Sequence, residues 1–175
     1  DICLLAPRND WLVTARKVLE SAGFEVALQM RKNRNGDNPA YAWMTGLLAA
    51  VCDPENTFEW VGVLREIFVV SDALIATELR GKGHFSWEEP QDHPEPLSEA
   101  LRVLRSFVLQ ANDDGLALEQ FATDLVDACG LREKATAIDP SGGLTSELDR
   151  LLAAAATLGL DGAGPRDWLG VLLNE

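Results

Sequence analysis

Two short apolar runs set around a single helical stretch constrain this chain more than any other feature. Ile2-Cys3-Leu4-Leu5-Ala6 reads as a strand, Pro7-Arg8-Asn9-Asp10 as a turn, residues 11–22 as a helix and Phe24-Glu25-Val26-Ala27-Leu28 as a second strand. A β-α-β unit of this size cannot stand alone, because two parallel strands leave open edges and at least one uncovered face. Almost everything after it has helical spacing, so the expected fold class is mostly α with a small β-α-β portion. With Asp at position 1 and an apolar-rich stretch over residues 168–175, the chain reads as cut from something larger.

A length of 175 residues and 47% apolar content are ample for one core, or for one domain plus a piece of another. The longest apolar stretches, such as residues 151–160, are half of what a bilayer span needs, and no charged-then-apolar leader precedes them. Cys3, Cys52 and Cys129 form no CxxC pair, which argues against a zinc site or a disulfide framework. They are expected as plain buried thiols in a cytoplasmic setting. The net charge of −13 argues against the whole chain being a nucleic-acid platform. The charge is uneven, however: residues 1–35 hold six cations against four carboxylates, leaving −15 for the rest. An acidic body with a mildly basic entrance can present one edge to phosphate.

Residues 30–39 are polar and aperiodic and read as a linker, with a subdomain boundary after residue 30. Helices are expected over residues 40–51 (with Pro39 in the first turn), 57–68, 71–80, 96–111, 117–129 and 145–158, with a last one from Pro165. The second of these should bury Phe58, Val61, Leu64 and Ile67 or Phe68; the 96–111 helix should bury Leu97, Leu101, Leu104 and Val108. Gly130 is placed as a helix C-cap. Residues 81–95, with both histidines, two glycines and two prolines, are expected as an exposed loop anchored by Phe85 and Trp87. Trp43, Trp60 and Trp168 fall on apolar helix faces and read as core.

Candidate chemistry is sparse. No GxxxxGK[ST] is present, so these residues have no phosphate cradle and no cofactor of their own. His84 and His93, with Glu88, Glu89, Asp92 and Glu95 around them, match no ligand spacing, and no Ser-His-Asp or Cys-His set stands out. Arg8 and Asn9 sit at the carboxyl end of a strand just before a helix, where free helix N–H groups, an Arg fork and an Asn amide favour a phosphate oxygen. Helix capping by Asn9 or Asp10 explains the same residues without a ligand. The run Arg31-Lys32-Asn33-Arg34 is either a phosphate contact or a solvated linker.

The order of segments says more. Asp1-Ile2-Cys3-Leu4-Leu5-Ala6-Pro7-Arg8-Asn9, followed by Val18-Leu19-Glu20-Ser21-Ala22-Gly23-Phe24, resembles the segment of UvrD/Rep-type superfamily 1 DNA helicases that begins D-I-A-[IV]-L and runs to L-x-x-x-G-I-P-[YF]. The stretch from Leu47 to Asn56 is similar to that family's L-L-x-x-L-x-x-P-x-D. Val63-Leu64-Arg65-Glu66-Ile67-Phe68-Val69-Val70-Ser71-Asp72-Ala73-Leu74 resembles L-R-S-P-x-[FY]-G-[IL]-S-D-x-x-L, with Ile67 replacing the Ser-Pro turn. Leu125-Val126-Asp127-Ala128-Cys129-Gly130-Leu131 and Leu148-Asp149-Arg150-Leu151-Leu152 look like the close of the helical insertion in the AddA/RecB branch.

The resemblance implies that residues 1–30 are a β-α-β fragment of the RecA-like motor domain 2A and residues 31–175 a helical 2B-type insertion. The parent would be a 3′–5′ helicase, alone or as a helicase-nuclease of recombination and repair, hydrolysing ATP with Mg2+ through motifs outside these residues. This fragment would guide duplex DNA rather than catalyse. Its partners would be DNA, the parent's remaining domains and a nuclease subunit. In the family the Arg/Asn motif contacts the single-stranded backbone; Asn9 matches the family Asn, whereas Arg8 is one place from the usual Arg, where Pro7 stands. The expected DNA contacts are therefore Asn9, Arg8, Arg31, Lys32 and Arg34. The other class compatible with the residues is a stand-alone acidic helical protein-interaction module.

Overall fold

The computed structural model describes residues 38–80, 83–113 and 116–174, together with residues 15, 18, 19 and 21–23. The chain divides into two compact units, Asp1–Arg34 and Asn35–Glu175. In the first unit Ala15, Val18, Leu19 and Ser21 are helical, and the Ser21 hydroxyl donates to the Val18 carbonyl at 2.7 Å before Gly23 turns the backbone at φ 83°. The two strands expected over residues 2–6 and 24–28 lie outside the described residues.

In the second unit the described residues form eight α-helices and one 3-10 turn, and no strand. They are α1 (Pro39–Cys52), α2 (Thr57–Glu66), α3 (Asp72–Leu79), the 3-10 turn Pro90–Asp92, α4 (Leu97–Gln110), α5 (Leu118–Ala128), α6 (Leu131–Ile138), α7 (Gly143–Leu160) and α8 (Pro165–Asn174). No described helix is long and apolar enough to cross a membrane.

The core is organised by α1. Its Ala40, Trp43, Met44, Leu47, Leu48, Ala50, Val51 and Cys52 are buried, so apolar side chains point in nearly every direction, and a helix apolar most of the way round has to be surrounded. It packs on α2, α4, α7 and α8. Asn38 starts it by accepting the Ala40 N–H at 3.0 Å, with Pro39 in the first turn where its missing N–H costs nothing. Where α1 passes α2, a Cβ on Gly46 would already touch Val63 Cγ2 at 3.6 Å. A second layer, α5, α6 and α7, closes over the far side, with Phe107 of α4 and Phe121 of α5 meeting edge to face, their centroids 5.7 Å apart. Trp60 and Trp168 are fully buried and Trp43 nearly so.

The expected heptad-like face of α4 is the buried one: Leu97, Leu101, Leu104 and Val108 are all at 1% exposure or less. For α2 the face is rotated. Trp60, Val63, Leu64 and Ile67 point inward, and Phe58 is 82% exposed. The indole of Trp60 is the largest apolar group on the helix, and burying it sets the stripe at positions i, i+3, i+4 and i+7. The helix α6 was absent from the sequence expectation. Its eight residues carry only Leu131 and Ala135 as buried positions, too few for a periodic signal, and it exists because Gly130, at φ 60°, ends α5 and turns the chain at once into the next helix.

Candidate functional site

The residues expected to touch DNA, Arg8, Asn9, Arg31, Lys32 and Arg34, all lie outside the described residues. The structure therefore speaks to what surrounds that expectation in the second unit. There the arginines are largely committed to carboxylates: Arg65 to Glu66 at 3.0 Å, Arg102 to Glu95 at 3.2 Å, Arg132 to Asp149 at 2.8 Å and Arg150 to Glu147 at 2.7 Å. These pairs lie mostly at the solvent-exposed surface, where an ion pair contributes little to stability.

The corner between α2 and α3 carries the most unusual backbone of the unit. Val69 sits at φ 57°, the left-handed region that a β-branched residue rarely enters, and its side chain is 74% exposed. The corner is held on both sides. Val70, buried beside it, donates its N–H to the Leu64 carbonyl at 2.9 Å, ending α2, and Ser71 accepts the Leu74 N–H at 3.3 Å, starting α3.

Between α1 and α2 runs a furrow of about 370 Å³. Ala42, Trp43, Gly46, Gly62, Val63 and Ile67 form its apolar part, and Glu59 and Glu66 of α2 also line it. Lys134 of α6 places its Nζ 5.7 Å from the centre of the Trp43 ring, a cation-π distance.

His93 corrects the expectation of an exposed 81–95 loop anchored only by Phe85 and Trp87. It is 6% exposed, and its Nδ1 lies 2.8 Å from Glu78 Oε2 on α3, which supplies the buried ring with a partner; Phe85 and Pro90 turn inward with it. Its carboxylate partner is on another element, so sequence spacing carries no trace of the pair. Among the described residues no group of three His, Cys, Asp or Glu side chains is arranged to hold a metal. Cys52 and Cys129 are free and buried, as the sequence suggested; burial pushes their thiols up to about 11, against the opposing charge of Arg166, and to about 12. Neither is an activated nucleophile. Cys3 lies outside the described residues.

No family model, curated protein or solved structure matches this chain.

Proposed function

We propose that this chain is part of an ATP-dependent 3′–5′ DNA helicase of the UvrD/Rep type, near the AddA/RecB branch, with residues 1–30 forming a β-α-β fragment of motor domain 2A and residues 31–175 a helical 2B-type subdomain that guides duplex DNA. The observation that carries this reading is Val69. In the motif that residues 63–74 resemble, the place of Val69 belongs to glycine, and Val69 holds the left-handed backbone glycine adopts freely. The serine two residues on has a physical role as well: Ser71 caps α3 through the Leu74 N–H. A glycine-type turn followed by a Ser N-cap is a local logic that side-chain divergence leaves intact.

In this reading Asn9 and Arg8 meet the single-stranded backbone, Arg31, Lys32 and Arg34 meet duplex phosphate, and the nucleotide and Mg2+ belong to the rest of the parent motor. The test is fluorescence anisotropy of the whole chain with a labelled duplex bearing a 3′ single-stranded tail, over a salt series. Weak binding without sequence preference is expected, and Arg31→Ala with Lys32→Ala and Arg34→Ala should reduce the salt slope by about 2.7, three contacts at about 0.9 each. Binding that ignores salt, or a triple variant that binds as well as the parent chain, rejects the reading. So does ATP turnover by these residues that a substitution among them abolishes.

A further inference from the structure

Helix α3 has little of its own to hold it in place. Ile75 is the one buried residue it contributes, and Leu74 and Leu79 reach the core only in part. Among the described residues, the packed helix pairs that build the core do not include α3. An isolated helix of eight residues is not stable in water, so α3 depends on its ties to the rest of the unit. Its tie to the following segment is polar: Glu78 Oε2 lies 2.8 Å from His93 Nδ1. That segment is anchored in its own right, with Phe85 and Pro90 buried and the 3-10 turn packed on α4. The chain is also fixed just before and just after α3. Val70 is buried and donates its N–H to the Leu64 carbonyl at 2.9 Å, and the Gly83 carbonyl accepts the Thr57 hydroxyl at 3.0 Å.

We propose that α3 is a flap: residues 71–80 leave the body as one unit while α1, α2, α4 and the 83–95 segment stay folded, and the Glu78–His93 pair is the latch. Local opening takes place where few buried contacts have to be broken. Here they are few and lie together, because Ile75 and Glu78, three residues apart, are neighbours on one face of the helix. The anchors at Val70 and Gly83 bound the movement, so it need not spread into α2 or the 3-10 turn. What the opening releases is the His93 ring, 1% exposed while the latch is closed and reachable from solvent once Glu78 has swung away. The inference stands apart from the helicase reading, because it uses only contacts within the second unit.

The experiment is native-state amide hydrogen exchange of the whole chain, followed by NMR over a series of urea concentrations too low to unfold it. In the parent, the hydrogen-bonded amides of α3, such as Ile75 N–H on the Ser71 carbonyl, should exchange about tenfold or more faster than those of α1, with a smaller urea dependence. Glu78→Ala should speed α3 by about a further tenfold, and Glu78→Gln, which keeps a side-chain oxygen and guards against a variant that fails to fold, by less. Arg166→Ala separates local from global opening. Its contacts are with the ends of α1 and α4, so it should speed exchange in α1 and leave α3 unchanged. Exchange of α3 and α1 at one rate with one urea slope, or equal acceleration of both by Arg166→Ala, would overturn the flap. Unchanged α3 exchange in Glu78→Ala and Glu78→Gln would overturn the latch.

Discussion

Arg166, the second residue of α8, donates from Nη2 to the carbonyl oxygen of Cys52, the last residue of α1, at 3.0 Å across 114 positions of sequence. The same nitrogen lies 3.5 Å from Asn112 Oδ1, and Asn112 in turn donates to the Val108 carbonyl near the end of α4. The final carbonyls of a helix lack partners within it, and a cation suits the negative end of the helix dipole. One guanidinium thus ties the ends of α1 and α4 to the start of α8. Arg166→Ala should lower stability by about 1 kcal/mol in urea unfolding with an unchanged m-value. Arg166→Lys should recover part of the loss, because the charge returns without the planar fork.

Below pH 9 the buried thiols add no pH dependence, since they are protonated whether the chain is folded or not. Above it the unfolded chain releases protons that the folded chain retains up to about 11 at Cys52 and about 12 at Cys129. Stability should therefore fall as pH rises from 9 toward 12. Thermal melts across this window should show the decline, and Cys129→Ala should flatten it. Alkylation of both thiols at pH 8 should be slow in buffer and fast in denaturant.

Val69 offers a test of strain. The left-handed backbone costs a non-glycine residue about 1–2 kcal/mol, and a side chain 74% exposed has little burial to lose. Val69→Gly should leave stability unchanged or raise it by up to about 1 kcal/mol, despite the greater freedom of glycine in the unfolded chain. A loss above about 1 kcal/mol in chemical denaturation would contradict the left-handed assignment.

Glu78 is the partner of a ring that is otherwise enclosed; the His93 side chain is 1% exposed. Glu78→Ala leaves Nδ1 without its acceptor and should destabilise by about 1–3 kcal/mol. Glu78→Gln, which keeps a side-chain oxygen in place, should cost less. The ordering of the two variants by differential scanning calorimetry is the check: equal losses would mean that volume rather than the hydrogen bond holds the loop.

The repeat of Leu97, Leu101, Leu104 and Val108 could be read directly, because a face buried along its whole length leaves its period in the residues themselves. Gly130, Pro39 and Ser71 could be read for a similar reason: each answers a local backbone demand that depends on nearest neighbours. Phe58 was misplaced because α2 offers two overlapping apolar stripes, and only the space beside α1 chooses the one containing Trp60. Of the candidate site, the groove and the His93–Glu78 pair left no signal, since each joins residues from different elements.

From the sequence alone come the mostly helical character, the limits of the longer helices, the burial of Trp43, Trp60 and Trp168, and the acidic balance after residue 35. These follow from periodicity, capping and composition, which are local or additive. Tertiary structure alone decided which stripe of α2 turns inward, that Glu78 receives His93, and that Arg166 closes α1. Those outcomes depend on which surfaces compete for the same volume, and that competition exists only once the helices have packed.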